Sequence, residues 1–313
     1  MRAMNTTELP SPTAGAVPGG VYLTLAMITV GSTVVASRII AAGLPPFTAA
    51  ALRFAIALPI FLALMRWRGQ RLPRPGRRDL ALIVLQALCG SVGYAVLLVA
   101  GLRTTSAANA GVIAGCLPAV GALVGALVLR ERIGARLLLA IGLACAGLAA
   151  VVATPGRADA VAASSSFTGD LLVMAAVGCE ALFLLLNKRL RVPLAPLAQS
   201  TWMTAFGFVL TLVPALGEHA WSAPVDTPAL LGVVYYALVP TVGGYLLWYA
   251  GAERVSAGHA ALYTAVLPVS ALILAALVLH EPITGRQLAG AACVLAAIVA
   301  SAVSGRTRRR ATA

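Results

Sequence analysis

Apolar residues fill unbroken runs of about 20 positions along this chain, and polar residues collect between the runs. The first four runs cover residues 21–40, 47–65, 80–102 and 107–129. Each has the length an α-helix needs to cross roughly 30 Å of hydrocarbon. Six more follow at residues 137–153, 170–187, 196–216, 229–250, 256–279 and 287–303, which predicts ten spans. Lipid supplies no water to backbone N–H and C=O groups, so a spanning segment must be a helix or a strand of a closed barrel. No run alternates with the period of a barrel strand, and the expected class is an all-α polytopic membrane protein.

The pattern is written twice. Residues 90–138 and 240–288 align without a gap at a spacing of 150 residues. Residues 117–136 read LPAVGALVGALVLRERIGAR and residues 267–286 read LPVSALILAALVLHEPITGR, so Pro118 recurs as Pro268, Glu131 as Glu281 and Arg136 as Arg286. Shared Ala or Leu carries little weight in so apolar a chain. Proline, glutamate and arginine recurring in step mark one folding unit that appears twice. Five spans per half is an odd number, so the second half must enter the membrane from the side opposite to the first, as two inverted five-helix repeats. The expected organisation is a cytoplasmic N-terminal segment (1–19), a first repeat (20–153), a periplasmic linker rich in Ala, Ser, Gly and Pro (154–168), a second repeat (169–304) and a basic cytoplasmic tail (305–313). The first run is long enough to stay as a span rather than leave as a signal peptide.

Composition supports that reading and charge gives it a direction. The chain is 60% hydrophobic and 11% charged, against about 25% charged in soluble proteins. With a cytoplasmic N-terminus, 18 Lys and Arg residues fall in inside loops, and only Arg103, Arg157 and Arg286 fall outside. That asymmetry puts both termini in the cytoplasm. It also accounts for the net charge of +13 without nucleic acid, and membrane lipid is the expected partner of the arginines at 306–310. All five cysteines lie within spans and no CxxC occurs, so neither a disulfide framework nor a metal site is expected.

Against this background the polar groups inside spans are few. Glu180 lies ten residues beyond Asp170, which at the helical rise is roughly 15 Å deep. A carboxylate there costs about 2.5 kcal/mol or more, so it is expected to face the bundle interior or a wet cavity. It reads either as a substrate or proton site or as a structural carboxyl bonded to a neighbouring helix. Its repeat mate is Val30, so the acid is no part of the symmetric skeleton. Arg53, about seven residues into the second span, reads as a snorkelling structural cation, as a binder of a substrate carboxylate or as the partner of an acid. Arg38 and Lys188, repeat mates, read as interface anchors. Ser32, Ser91, Tyr94, Asn109, Tyr245, His259, Tyr263 and Thr264 complete the candidate lining of a cavity; small hydroxyls among them can also bond their own backbone. Pro118, Pro268 and Pro240 should each bend a span, because proline removes a backbone donor and clashes with the preceding turn. Glu131 and Glu281 stand before the fifth and tenth spans, where a carboxylate meets the positive end of a helix dipole and accepts from unpaired N–H groups.

The doubled Leu-Pro…Leu-Glu-x-Ile pattern at residues 117–133 and 267–283, Arg53-Phe54 in the second span, and Gly31 seven residues before Arg38 resemble the drug/metabolite transporter superfamily, EamA type. Within it the chain is similar to the branch that exports aromatic and other neutral amino acids. The resemblance covers essentially the whole chain and implies ten helices in two inverted halves around a central cavity in a bacterial inner (plasma) membrane. It implies a transporter and not an enzyme, taking a small-molecule substrate by alternating access, with protons as a candidate partner and no cofactor. A carrier of drugs, nucleotide-sugars or other metabolites is the alternative within the superfamily. An intramembrane enzyme is disfavoured by the residues themselves, since no HExxH and no paired catalytic groups occur.

Overall fold

The computed structural model describes residues 19–129, 167–187, 189–191, 194–220, 226–252, 254–255 and 263–310, with short pieces at 138–139, 142–143 and 145–147. Glu131 and His259 lie outside the described residues, as does most of the fifth predicted span. The elements are α1 (Gly19–Gly43), α2 (Pro46–Trp67), α3 (Arg77–Gln86), a π-helical segment (Ala87–Gly93), α4 (Tyr94–Gly101), α5 (Ala107–Gly115) and α6 (Leu117–Leu129). The second half supplies α7 (Phe167–Asn187), α8 (Pro196–Gly217), α9 (Thr227–Tyr236), a second π-helical segment (Ala237–Gly243), α10 (Gly244–Ala252), α11 (Val266–Leu279) and α12 (Gly285–Arg310). No strand occurs among the described residues. Six helices are long and apolar enough to cross a membrane, counting Arg77–Gly101 and Thr227–Trp248 as one each. The pair α5 and α6 makes a seventh if its bend is spanned, and α11 and the apolar part of α12 are shorter.

The 150-residue spacing seen in the sequence governs these boundaries. Pro46 and Pro196 open α2 and α8, Arg77 and Thr227 open α3 and α9, and the two π-helical segments coincide under the same shift. Proline in a first helical turn loses nothing, because its missing N–H would have had no intrahelical partner there. Just beyond α2 and α8, Gly69 (φ 63°) and its mate His219 (φ 50°) both take the left-handed conformation that turns the chain off a helix end. Glycine adopts it freely; the histidine ring instead bonds the Gly217 carbonyl at 2.8 Å.

Each π-helical segment is a widened turn, and the second has a visible cause. Pro240 cannot donate to the Tyr236 carbonyl, and the Thr241 hydroxyl donates to that carbonyl instead at 2.8 Å. In the first segment Gly90 stands at the proline's place and Ser91 at the threonine's. Between α5 and α6 the axis turns by 45° at a break around Cys116, with Pro118 the second residue of the new helix. Pro268 likewise falls in the first turn of α11, where it opens a helix and does not kink one.

Helix packing also follows the repeat. Helix α2 packs along its own equivalent α8, α1 packs on α11 and α10, and their equivalents α7, α6 and α4 pack in the same pairs. Glycine makes the closest approaches possible. A Cβ built on Gly101 would stand 2.8 Å from the Gly169 carbonyl oxygen and 2.9 Å from Val173, and one on Gly251 would stand 3.0 Å from the Gly19 oxygen and 2.7 Å from Leu23. Phe54 fills the space left by Gly207 across the α2–α8 seam and is 2% exposed. Arg254 packs over Tyr22 at the start of α1, whereas Arg103 donates to the Leu44 carbonyl just past its end. These two loops therefore sit at opposite ends of a helix of 25 residues, roughly 37 Å apart. Side chains such as Val209, Val213, Leu231 and Leu277 stay exposed, as an outward face toward lipid requires.

Candidate functional site

Polar side chains converge where α1, α2, α4, α7 and α9 meet. Arg53 on α2 is buried, its guanidinium carbon 4.3 Å from the Phe54 ring centre and 4.6 Å from that of Tyr236. Such stacking on aromatic faces is a favoured desolvated setting for this cation. One N–H of its Nη2 donates to the Ser91 carbonyl, at 3.1 Å, inside the first π-helical segment. Its Nε is buried and has no hydrogen-bond partner among the described residues. Glu180 on α7 is half-buried, lies within electrostatic reach of Arg53 and Tyr94, and makes no hydrogen bond among the described residues. Tyr94, the first residue of α4, turns its hydroxyl toward Thr33 of α1. One position earlier on α1, Ser32 accepts from the Tyr235 hydroxyl at 2.9 Å while donating to the Thr29 carbonyl.

The widened turns place these groups. Ser91 and Tyr94 lie in or just after the first, Tyr235 and Tyr236 just before the second. On α7, Cys179 and Phe183 settle against Gly93 and Gly90 of the first segment, and this sets Glu180 between them in sequence at the same level. Isolated π-helical turns of this kind are a common device for aiming side chains at a site. The Arg53–Tyr236 pair has no symmetric twin: its repeat mates are Met203 and Gln86. Both charges of the cluster thus break the repeat symmetry. A cavity of about 10 Å³ beside Arg53 and Tyr236, bounded by Ile40, Pro46, Ala49, Ala50, Ala95 and Val99, has room for about one water.

A second polar network closes the Arg103 end. The Thr105 hydroxyl donates to Asp170 at the start of α7, and Asn109 stands beside the same carboxylate. Gln287 of α12 donates from its amide to Asn109 at 2.7 Å and accepts from the Thr284 N–H at 2.9 Å. Thr284 in turn accepts from the Gln287 N–H at 3.3 Å, a reciprocal cap for α12. Glu281 corrects the sequence expectation. Its carboxylate accepts from the Ala107 and Ala108 N–H groups at 3.1 and 3.0 Å, so it caps α5 and not the helix it precedes. The reason is His280, whose left-handed backbone reverses the chain and leaves Thr284 to cap α12. At the same end Arg38 donates to the Leu102 carbonyl and Glu218 accepts from the Phe47 and Thr48 N–H groups.

Of the residues singled out by sequence, Glu180, Ser32, Ser91, Tyr94 and Arg53 come together. Asn109 belongs to the second network. Tyr245 packs edge-on against Phe61 with ring centres 6.3 Å apart, on the α2 side of the bundle. Tyr263 approaches Gly20, twelve residues or roughly 18 Å along α1 from Ser32, and Thr264 follows it just before α11. The residues sequence reasoning passed over are Thr33, within α1, and Thr105, Thr284 and Gln287, near helix ends; ordinary polar side chains in such places give no signal of long-range partners.

The chain matches the model of the EamA-like transporter family twice, over residues 17–153 and 167–303. It belongs to the EamA-like transporter family. The two matches are offset by the same 150 residues as the helices. The chain is 34% identical over 290 residues to the uncharacterized transporter YetK of Bacillus subtilis (strain 168), covering 91% of this chain and 87% of that one. It is 28% identical over 231 residues to a probable terminal-alkyne amino-acid exporter of Streptantibioticus cattleyicolor, covering 72% and 74%. With a probable amino-acid metabolite efflux pump of Salmonella typhimurium it shares 27% identity over 197 residues, covering 60% and 64%. A solved structure with 20% identity superposes with a TM-score of 0.62 over 92% of this chain and 98% of the other, which extends the likeness to the fold. The protein is thus a multi-pass membrane transporter and not an enzyme.

Proposed function

We propose that this transporter exports neutral, including aromatic, amino acids and related metabolites across the bacterial inner membrane, with ten helices in two inverted repeats and both termini cytoplasmic. The observation that carries the reading is the cluster of Arg53, Glu180, Tyr94, Tyr236 and Ser32 at the meeting of both halves. Ionisable groups held this deep in a membrane bundle mark a transport pathway. The names of two relatives, a probable amino-acid metabolite efflux pump and a probable terminal-alkyne amino-acid exporter, support the cargo class.

Alternating access is supported by how the bundle is built. Helices α2 and α8 pair across the halves, and matched widened turns interrupt the spans α3–α4 and α9–α10 at the depth of the cluster. Each half can therefore bend there while its rigid parts rock about the site. The network of Asp170, Thr105, Asn109 and Gln287 seals the Arg103 end in this arrangement and has to part when that end opens. Glu180 is the coupling acid in this scheme, exchanging a proton with the cavity. The test is flux of a panel of radiolabelled amino acids and metabolites in proteoliposomes at two pH values. Amino-acid flux that depends on pH in the native protein and loses that dependence in Glu180→Gln is expected; a panel with no amino acid carried overturns the cargo, and an unchanged pH dependence removes Glu180 from coupling.

A further inference from the structure

We infer that Arg53 and Glu180 form a two-point clamp for a zwitterion, Arg53 taking the carboxylate and Glu180 the ammonium group of an α-amino acid. This rests on the amino-acid reading above and assigns the two ends of the cargo to two side chains.

Arg53 and Glu180 feel each other's charge yet close no ion pair between them among the described residues. A cation and an anion buried in one bundle ordinarily collapse onto each other, because each otherwise stays desolvated without compensation. Here each is restrained from doing so. Stacking between Phe54 and Tyr236 and the bond to the Ser91 carbonyl fix the plane of the guanidinium. Packing of Cys179 and Phe183 on Gly93 and Gly90 fixes the helix that carries Glu180.

What remains unsatisfied has the chemistry of a ligand site. The Arg53 Nε–H is buried without an acceptor among the described residues, and the guanidinium fork is the group best suited to a planar carboxylate. The Glu180 carboxylate accepts no hydrogen bond among the described residues, and a primary ammonium offers it charged donors. Tyr94 stands within reach of both charges. A neutral solute would leave both charges uncompensated, and a diamine or a dicarboxylate would compensate one and repel the other. The pair selects a molecule that carries both signs.

The experiment is competition against radiolabelled L-phenylalanine transport in proteoliposomes, with phenethylamine, which lacks the carboxylate, and 3-phenylpropionate, which lacks the ammonium. In the native protein each is expected to inhibit about tenfold or more weakly than unlabelled L-phenylalanine. Arg53→Gln is expected to raise the KM for L-phenylalanine by about tenfold or more and leave inhibition by phenethylamine unchanged; Glu180→Gln is expected to do the same for L-phenylalanine and leave 3-phenylpropionate unchanged. A merely structural role for either residue weakens all three ligands together and cannot produce this crossed pattern. Analogues that compete within about threefold of the amino acid, too small a difference for a missing charge pairing, overturn the clamp while leaving the amino-acid reading intact. No L-phenylalanine or other amino-acid flux at all overturns the reading on which the clamp depends. Should Arg53→Gln fail to fold, Arg53→Lys and the analogue series on the native protein carry the same test.

Discussion

Gly101→Ala and Gly251→Ala are one perturbation made at two repeat-equivalent places. The added Cβ would stand 2.8 Å from the Gly169 oxygen and 2.9 Å from Val173 in the first case, and 3.0 Å from the Gly19 oxygen and 2.7 Å from Leu23 in the second. Carbon atoms prefer about 3.5–4.0 Å, so α4 must part from α7, and α10 from α1, by several tenths of an ångström along a packed seam. Overpacking of that kind costs about 1–3 kcal/mol. Alanine returns about 1 kcal/mol of helix propensity, which leaves a net loss of up to about 2 kcal/mol at each site. Gly178→Ala on α7 is the control: nothing lies within 4 Å of its Cβ position, so only the propensity gain remains. Unfolding of the purified protein in micelles on titration with SDS, followed by far-UV circular dichroism, measures all three. An equal cost from Gly178→Ala, or destabilisation by only one of the paired substitutions, would refute the close approach of these seams as the cause.

Gln287→Leu leaves the buried Asn109 oxygen without its donor and removes the acceptor of the Thr284 N–H at the exposed helix end, an expected loss of about 1–3 kcal/mol in the same unfolding assay. A double-mutant cycle with Asn109→Leu should return a coupling of about 0.5–3 kcal/mol, and a coupling near zero would remove the network from the seal of the Arg103 end. Glu281→Ala should cost about 0.5–2 kcal/mol through the first turn of α5, with Glu281→Gln costing less; hydrogen exchange confined to α12 in place of α5 would contradict the assignment.

The helices and their repetition were legible because both rest on properties local to the chain. An apolar run of membrane length leaves the backbone no other choice, and Pro118 and Pro268 fall in register whatever they pack against. Glu180 and Arg53 could be found as charges out of place, and both reached the polar cluster. Which tyrosine faced that cluster could not be read. Tyr236 and Tyr245 lie in one predicted span, yet the widened turn between them rotates one onto Arg53 and the other onto Phe61. Proline signalled the second widened turn, while Gly90 gave no sign of the first. Glu281 was assigned to the wrong helix because the left-handed backbone falls on His280, a residue that does not announce it as glycine would. The network of Thr105, Asn109, Asp170 and Gln287 joins residues far apart in the chain, and no spacing rule reaches that far.

The most direct measurement is labelling of single cysteines by a membrane-impermeant maleimide in whole cells, with the five native cysteines replaced. Arg103 and Arg254 are both exposed and sit at opposite ends of α1. Arg103→Cys should label in intact cells, and Arg254→Cys only after the membrane is opened. Equal labelling of both in intact cells would contradict two halves threaded in opposite senses, and with them the site that the halves enclose.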